Sequence, residues 1–291
     1  MAVWNLGSIN IDNVYRVPHL PVAGETLAAG AFQRGLGGKG ANMSVAAARC
    51  AARVHHIGAI GADGRWAKDR LLEYGVDTRF IADSSEPTGH ANISVDDEGE
   101  NQIILYTGAN GTISGDQLGQ ALSSANQGDT FVTQNETNAQ AEGAKIARDM
   151  GLRVVYAAAP FSVDAVQAML PLTDLLILNE VECAQLETAM AMPVVETGVP
   201  HIVVTLGAKG CRYHDVQAGQ TSDIPAIQVD PIDTTGAGDT FSGYLVAGLD
   251  RGLPMAQSLS LATKAAALMV TRLGTADVIP DLKDIEDWRL G

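Results

Sequence analysis

Basic side chains are scarce in this sequence. Its 291 residues include 19 lysines and arginines against 34 aspartates and glutamates, which gives a formal net charge of −15. Such a balance provides no electrostatic footprint for nucleic acid or for an anionic membrane surface, so we expect neither as a partner. An anionic ligand must then be bound by hydrogen-bond donors at one site, and not by the overall field of the protein.

Cysteine is scarce as well, and long apolar runs are missing. The cysteines, Cys50, Cys183 and Cys211, are scattered, odd in number and without a C-x-x-C pair, which argues against a disulfide framework and a zinc site. The histidines show no metal-ligand spacing, and the pair His55-His56 is more typical of a buried strand. Because the chain has no run of about 18 apolar residues and no basic segment followed by an apolar one, we expect a cytoplasmic protein.

Helical segments and short apolar segments alternate along the chain. The apolar runs at 154–156, 175–178 and 202–206 are typical of strands that are buried on both faces of a parallel sheet. Helical segments end three times in a glycine followed by an apolar residue, the pattern of a glycine C-cap: Tyr74-Gly75-Val76, Met150-Gly151-Leu152 and Thr197-Gly198-Val199. We predict a single α/β domain over residues 1–291, with a largely parallel sheet and helices on both faces.

Two regions interrupt this alternation. Residues 11–36 and 88–107 lack helical periodicity and show polar-alternating strands, the second with a hairpin turn at 96–100. We predict that they form a second, smaller β-sheet. Its apolar face fits either a lid or an ordinary packed hairpin, and it is formed by Ile93, Val95, Ile103 and Leu105.

A glycine motif at 233–241, Asp-Thr-Thr-Gly-Ala-Gly-Asp-Thr-Phe, is the most informative segment of the chain. The pattern predicts a strand at 224–232 and a helix over 238–250, so the glycines lie at a helix N-terminus. There the first N–H groups lack intrahelical partners and attract a phosphate, while Asp239 in the first turn could accept a proton from a hydroxyl. The alternative is a left-handed turn before a helix whose first-turn aspartate complements the helix dipole.

A second glycine loop, residues 35–42, precedes an alanine-rich helix. It matches G-x-G-x-x-G, but the dinucleotide fingerprint belongs in the first βα turn, and the first strand of this chain leads instead into residues 8–12. It is not a Walker A loop either, because Gly40 follows Lys39 where that motif has Ser or Thr. The loop either presents Lys39 and Asn42 to a ligand or is a plain flexible turn.

Together, the motifs at 37–42 and 233–239 resemble the two signatures of the ribokinase-like (PfkB) carbohydrate kinases, in their order and spacing. Further similar segments lie at 7–12, 21–26, 58–64, 99–101, 108–110, 179–180 and 203–207. Within that family the resemblance is strongest to the kinases that act on ribose. It implies a ribokinase-like α/β fold whose two insertions form a lid over the sugar and often the contact of a homodimer. It also implies the use of ATP and Mg²⁺, with K⁺ as a further candidate.

The resemblance also implies roles for individual residues. Asp239 would be the catalytic base, beside an amide cradle for the transferred phosphoryl group formed by Gly236, Ala237 and Gly238. The sugar would contact Asn10, Asp12, Gly38, Lys39, Asn42, Glu136 and Asp239. The nucleotide would contact Asn179, Thr205, Gly207, Gly236 and Gly238. Glu182 would act on Mg²⁺ indirectly, and a monovalent cation would be held by Asp233 and Thr235, with main-chain oxygens near Met269, Arg272 and Gly274.

Some positions depart from the family pattern. Tyr244 follows Gly243 where a small residue is usual, and Val278 stands where many members offer a hydroxyl to the cation. An N-x-x-E pattern such as Asn179 to Glu182 is, by itself, more typical of a solvated helix face. The departures at Tyr244 and Val278 concern the nucleotide side and the cation, whereas the aspartate of the second signature, Asp239, is present.

We therefore expect ATP-dependent phosphorylation of a primary hydroxyl of a small sugar, with ribose as the first candidate. Fructose, 2-keto-3-deoxygluconate and a nucleoside are alternative acceptors, because ring size cannot be derived from the polar set Asn10, Asp12 and Asn42. A sensor that binds sugar or nucleotide without turnover is the alternative from another class. The presence of Asp239 and of both glycine motifs favours an enzyme.

Overall fold

The computed structural model describes residues 1–288, which form two β-sheets and the helices that flank the larger one. The strands in this range are β1 (Val3–Leu6), β2 (Asn10–Arg16), β3 (Ala31–Gly37), β4 (Val54–Ile60), β5 (Asp77–Asp83), β6 (Gly89–Val95), β7 (Asn101–Tyr106), β8 (Thr130–Thr133), β9 (Arg153–Ala157), β10 (Leu175–Asn179), β11 (His201–Thr205), β12 (Cys211–Asp215) and β13 (Gln220–Ile224). The α-helices are α1 (Lys39–Arg49), α2 (Arg65–Glu73), α3 (Gly115–Leu122), α4 (Gln140–Asp149), α5 (Val163–Met169), α6 (Glu180–Met190), α7 (Ala237–Asp250), α8 (Met255–Met269) and α9 (Leu282–Asp287).

The large sheet has nine strands in the order β13-β12-β11-β10-β9-β8-β1-β4-β5. The seven strands from β11 to β5 are parallel, and β12 and β13 extend one edge as an antiparallel hairpin. One buried cluster packs α1, α7 and α8 against one face, and a second cluster packs α3, α4 and α5 against the other. The predicted fold class is therefore confirmed. Within residues 1–288, no helix is long and apolar enough to cross a membrane.

The predicted glycine caps lie where helices turn back into the sheet. After α2, the N–H of Gly75 donates to the carbonyl of Leu72, and that of Val76 to Leu71. The same pair of bonds follows α4 at Gly151 and Leu152. Gly198 also has a positive φ, of 85°, but it follows a short 3-10 turn and not an α-helix.

The predicted strand at 224–232 is wrong. β13 ends at Ile224, and residues 225–230 continue as an irregular segment. Pro225 and Pro231 explain the difference, because proline has no N–H to donate to a neighbouring strand and is confined to strand edges and ends. The segment therefore follows the surface from the sheet edge to the start of α7.

The small sheet consists of the two regions predicted to form it, in the order β3-β2-β6-β7. Register places Asp12, Ala91 and Leu105 on one face, since Asp12 pairs with Ala91 and Ala91 with Leu105. The apolar side chains of β7 are not packed against the protein: Ile103 is 55% exposed and Ile104 is 66% exposed. The outer strand of this sheet therefore presents apolar surface on both faces.

Helices α1 and α7 pack with their backbones close together. A Cβ atom at Gly243 would lie 2.5 Å from the Cβ of Ala46 and 2.6 Å from the carbonyl oxygen of Met43. Only hydrogen fits between the helices at this position. The contact brings the first turn of α1 alongside the first turn of α7, which is the geometry that the site requires.

We expect Gly243→Ala to lower the free energy of unfolding by about 1–3 kcal/mol, because the added methyl group must separate the two helices. Gly119→Ala in α3 is the matched control, since a Cβ atom there meets nothing within 4 Å. The control should be stabilising by roughly 0.5–1 kcal/mol, the usual gain of alanine over glycine in a helix. Urea denaturation measures both, and a Gly243→Ala variant as stable as the wild type would contradict close packing.

Candidate active site

The candidate site lies at the carboxyl ends of the parallel strands. β1 is flanked by β4 on one side and by β8 on the other. The order in which the strands are added therefore reverses beside β1: β4 and β5 lie on one side of it, and β8 to β13 lie on the other. Crevices at such a switch point are the usual ligand sites of open α/β sheets. The segments leaving β1 and β8 carry Asn10, Asp12 and Glu136, and the small sheet rises from the same edge.

Asp239 occupies the first turn of α7 and is only 8% exposed. The Nδ2 of Asn42 donates to its Oδ2 at 2.9 Å, across the close contact of α1 with α7. Gly236, at the N-cap of α7, has a φ of 76°, the left-handed conformation that glycine adopts without strain. The structure thus brings together the two glycine motifs, which are nearly 200 residues apart in sequence.

The amides of the α7 first turn form the candidate cradle. The N–H of Ala237 donates to the carbonyl of Thr234 at 3.2 Å, so it is occupied within the loop. The next N–H groups, of Gly238 and Asp239, also precede the first intrahelical bond, which Thr240 donates to Gly236. The N–H of Gly236 has no partner among the described residues either, so the amides of Gly236, Gly238 and Asp239 remain for charge on a ligand.

Glu136 is tied to the glycine loop. Its Oε2 accepts a hydrogen bond from the Ser8 hydroxyl at 2.5 Å and another from the N–H of Lys39 at 3.0 Å. Lys39 is the first residue of α1, so this carboxylate caps a helix start from the turn after β8 and complements the helix dipole. Ser8 was not among the predicted site residues, although it belongs to the segment at 7–12 that resembles the family.

Asp12 and Asn10 are held by close neighbours. A Cβ atom at Gly37 would lie 2.0 Å from the Asp12 Oδ2, so the glycine makes room for the carboxylate. The Oδ1 of Asn10 accepts a hydrogen bond from the Nδ2 of Asn110 at 2.7 Å. Asn110 is buried and also bonds both main-chain groups of Ile9. It was missed as a site residue; its only signal was the segment 108–110.

The carboxylates around Lys39 perturb one another. Burial raises the pKa of Asp239 to about 6, although Lys39 and the Asn42 hydrogen bond act in the opposite direction. Burial, followed by the charges of Glu136 and Asp239, raises the pKa of Asp12 to about 7. The Asp239 carboxylate in turn raises the pKa of Lys39, with smaller contributions from Glu136 and Glu182. This cluster attracts a ligand that can share protons with carboxylates, as a polyol does.

A groove beside α7 and α8 is suited to a larger, flatter ligand. It encloses about 370 Å³. Its lining includes Thr205, Gly207 and Gly238, three of the predicted nucleotide contacts, together with apolar side chains such as Phe241 and Val270. The hydroxyl of Thr263, also in the lining, is buried without a hydrogen-bond partner in the described chain. Thr263 was not among the predicted site residues, because it stands in an ordinary helical pattern.

Asn179 and Glu182 form a capping box at the start of α6. The Asn179 Oδ1 accepts from the Glu182 N–H at 2.8 Å, and the Glu182 Oε2 accepts from the Asn179 N–H at 2.8 Å. This reciprocal cap gives the N-x-x-E pattern a structural reason. Burial raises the pKa of Glu182. The hydrogen bond from the Asn179 N–H and the charge of Lys39 offset part of this increase. Glu182 thus lies within electrostatic reach of Lys39 as well as capping its helix.

The residues predicted to hold a monovalent cation also converge. The Asp233 carboxylate accepts from the N–H of Thr235 at 2.9 Å and from that of Gly274 at 3.2 Å. The Met269 carbonyl accepts from the N–H of Arg272 at 2.9 Å. No cluster of three or more His, Cys, Asp or Glu side chains suited to a metal ion occurs in the range 1–288. Oxygen atoms of the kind that hard cations prefer are nevertheless present in this loop.

Tyr244, a departure from the family pattern, points away from the site. Its side chain is fully buried, and its hydroxyl donates to the carbonyl of Pro280 at 2.5 Å. It therefore secures the segment before α9 and does not line the groove beside α7 and α8. Val278 lies beside Gly274, where a Cβ atom would be 3.4 Å from its Cγ1.

The sequence and the fold are both similar to those of known carbohydrate kinases. Residues 3–282 match the pfkB family carbohydrate kinases. A ribokinase of Haemophilus influenzae is 37% identical over 290 residues, covering 94% of both chains. Structures of ribokinases from Cryptococcus neoformans with ADP (30% identity, TM-score 0.83) and from Arabidopsis thaliana with ribose and ATP (28% identity, TM-score 0.86) each match 98% of both chains.

The chain belongs to the pfkB family of carbohydrate kinases. It is an ATP-dependent carbohydrate kinase, similar over nearly its whole length to proteins that are named ribokinase.

The raised pKa of Asp239 has a measurable consequence for stability. Its carboxyl holds a proton more tightly when folded, with a pKa of about 6 against 3.8, so stability is lost as pH rises through about 6. Asp239→Asn cannot ionise, and we expect it to be more stable than the wild type at pH 8 by up to about 3 kcal/mol. The gain should shrink towards pH 5.

Urea denaturation at pH 8 and pH 5 measures this difference, with Asp69→Asn on the surface of α2 as the control. The control makes the same change in net charge without removing a buried carboxylate. A wild type that is more stable than Asp239→Asn at pH 8 would contradict the electrostatic account of the site.

Proposed function

We propose that this kinase transfers the γ-phosphoryl group of ATP to a primary hydroxyl of a small sugar, with ribose as the first candidate and its 5-hydroxyl as the acceptor. The observation that carries the proposal is the position of Asp239. It is buried at the start of α7, hydrogen-bonded to Asn42 and adjacent to the groove that contains Gly238. The ribose and ATP of the Arabidopsis thaliana ribokinase complex support the choice of substrates.

In this mechanism Asp239 is the base. Its pKa of about 6 leaves it largely ionised at neutral pH and still basic enough to accept a hydroxyl proton. The sugar oxygen forms a bond to the γ-phosphorus, the bond from that phosphorus to the ADP oxygen breaks, and the proton passes to Asp239. Lys39 and the amides of Gly238 and Asp239 balance the negative charge on the transferred group.

The sugar would lie between the small sheet and α1. Asn10, Asp12 and Asn42 offer acceptors and donors to adjacent hydroxyls, with Gly38 and Lys39 at the glycine loop. The Asn42 Oδ1 supports this role, because it is buried without a hydrogen-bond partner in the described residues. Glu136 would contribute its Oε1, because its Oε2 is already engaged by Ser8 and by the N–H of Lys39.

The nucleotide would occupy the groove between β11 and α8. Its base and ribose would contact the lining near Thr205 and Gly207, and its phosphates would extend past Gly236 and Gly238 towards Lys39. Asn179 would contact the phosphates from the start of α6. Mg²⁺ bound to the phosphates supplies charge neutralisation, and Glu182 would meet it through its waters, as is usual for this ion.

A monovalent cation such as K⁺ would bind beside this region. The oxygen atoms available are those of Asp233 and Thr235, together with main-chain carbonyls near Met269, Arg272 and Gly274. Asp233 already connects the loop before α7 with the loop after α8 through its bonds to Thr235 and Gly274. A cation here would stiffen the loop that begins the amide cradle.

The test is coupled ADP release with Mg-ATP across ribose, deoxyribose, fructose, 2-keto-3-deoxygluconate and adenosine, with and without K⁺. We expect selective turnover with ribose. Asp239→Asn should lower kcat at least about a hundredfold, because it removes the base while keeping the side-chain volume. Circular dichroism establishes that the variant is folded.

Each outcome of this assay has a distinct meaning. Selective turnover of another acceptor would retain the mechanism and replace ribose. Near wild-type turnover in Asp239→Asn would exclude that residue as the base. Ribose binding without any ADP release would instead favour a sensor.

We further propose that two copies associate through their small sheets. The support is the apolar outer strand β7, in which Ile103, Ile104 and Leu105 are each more than half exposed. Unpaired strand edges and apolar patches of this kind are usually covered in stable proteins. A homodimer would cover them and would stiffen the sheet that carries Asp12.

Analytical ultracentrifugation tests this association. We expect a dimer for the wild type and a monomer for the double variant Ile103→Glu/Ile104→Glu, because whichever face of β7 lies in the interface would then bury carboxylates without partners. Leu72→Glu on α2, where the leucine is also exposed, is the control and should remain dimeric. A monomeric wild type would refute the proposal.

A further inference from the structure

Two adjacent buried histidines in β4, His55 and His56, make different contacts on opposite faces of the sheet. His55 stacks on Trp4 with ring centroids 4.1 Å apart, and its Nδ1 lies 2.9 Å from the Asp77 Oδ2. His56 points to the opposite face of the sheet, towards α1. Its Nδ1 lies 2.8 Å from the Ser44 Oγ, and its Nε2 lies 3.0 Å from the carbonyl oxygen of Gly7.

The contacts of His56 determine its protonation. A carbonyl oxygen can only accept, so the Nε2 must carry a proton and donate it to Gly7. Burial lowers the pKa of His56 to about 4, so the ring is neutral and its Nδ1 is an acceptor. The Ser44 hydroxyl therefore donates to the Nδ1.

The chain of hydrogen bonds continues from Ser44. The Ser44 Oγ accepts from the Asn5 Nδ2 at 2.8 Å, and the Asn5 Oδ1 accepts from the Gln134 Nε2 at 2.9 Å. The second N–H of the Asn5 Nδ2 donates to the Gly40 carbonyl at 2.8 Å. Every donor in this chain points in one direction, from Gln134 to Gly7, and all the side chains are buried.

The chain connects the three segments that carry the proposed sugar contacts. Asn5 lies near the end of β1, and Gly7 follows it in the segment that leads to Asn10 and Asp12. Ser44 and Gly40 belong to α1, which begins with Lys39 and also carries Asn42. Gln134 follows β8 and precedes Glu136 by two residues.

The connection is made where two backbones touch. A Cβ atom at Gly40 would lie 2.4 Å from the Cα of Gly7, so α1 rests directly on the end of β1. Glycines allow the two backbones to approach closely, but they provide no side-chain contacts that would fix the position of α1 relative to β1. The chain of directed hydrogen bonds fixes this position, since each side chain can be satisfied by only one arrangement of its neighbours.

We propose that Asn5, Ser44, His56 and Gln134 are positioning residues, which set the distance between the Asn10–Asp12 segment and the start of α1 and thereby tune sugar binding. The proposal rests on the proposed function, because it assumes that these two segments hold the sugar. It assigns to His56 one neutral tautomer, protonated at Nε2. None of the four residues contacts the sugar in this account.

Ser44→Ala tests the chain with the smallest change. It removes one hydroxyl, so the His56 Nδ1 loses its donor and Asn5 loses one acceptor. We expect the KM for the sugar to rise about tenfold, as small misplacements of binding groups do, while the KM for ATP changes less than about twofold. Ser258→Ala is the matched control, because Ser258 is equally buried but bonds the Leu253 carbonyl in the connection before α8.

A purely structural role for the chain predicts a different pattern. Ser44→Ala would then lose stability as Ser258→Ala does, and its KM for sugar would stay at the wild-type value. That result would overturn the proposal. Ser44→Thr retains the hydroxyl and should keep the KM for sugar closer to the wild-type value than Ser44→Ala does.

Nitrogen-15 NMR of the histidine rings provides a readout that needs no turnover. We expect the His56 ring to be protonated at Nε2 alone from pH 8 to pH 6, and to keep this tautomer in Ser44→Ala with a shifted Nδ1 resonance, because the Nδ1 loses its hydrogen-bond donor while the Gly7 carbonyl still accepts from the Nε2. His55→Gln removes the neighbouring signal and allows the assignment. A charged ring, or one protonated at Nδ1, would overturn the proposal even in a protein without kinase activity, so its failure is distinguishable from failure of the proposed function.

Discussion

The close contact of α1 with its neighbours is the constraint on which the site depends. On one side, Gly40 rests on Gly7 at the end of β1, and on the other, Gly243 admits Ala46. Because only hydrogen atoms separate these backbones, the first turn of α1 reaches both the strand end and α7. Asn42 can then donate to Asp239 at 2.9 Å. Larger side chains at these contacts would keep the fold class but separate the groups that have to act together.

Burial has opposite consequences for the fold and for the chemistry. A buried carboxylate destabilises the folded protein, and it is also a stronger base than one in water. Asp239 and Asp12 are both in this position, with Lys39 as the compensating charge. The groove beside α7 and α8 places apolar side chains such as Phe241 next to Gly238, so a ligand bound there would exclude water from the start of α7. The site thus derives its reactivity from an arrangement that the rest of the protein must stabilise.

Several sequence predictions failed or were incomplete where local pattern competed with tertiary structure. The apolar residues at 224–232 suggested a strand, but Pro225 and Pro231 prevent pairing. The pattern from Asn179 to Glu182 predicted ligand contacts, which stay a prediction, and the structure shows that the same two residues also form a helix cap. Ser8, Asn110 and Thr263 were missed, because small polar residues have no distinctive spacing. Their partners lie far away in sequence: Ser8 meets Glu136 and Asn110 meets Ile9.

The sequence by itself determined the α/β class, the second sheet and the position of both glycine motifs, since these depend on periodicity and on residues a few positions apart. It also singled out Asp239 as the candidate base, because a carboxylate after T-G-A-G is a local feature. Only the tertiary structure decided which oxygen of Glu136 is occupied, how Asn42 meets Asp239 and that His56 joins Ser44 to Gly7. These contacts join segments separated by up to 197 residues, and their geometry follows from how helices and strands pack, which no local pattern encodes.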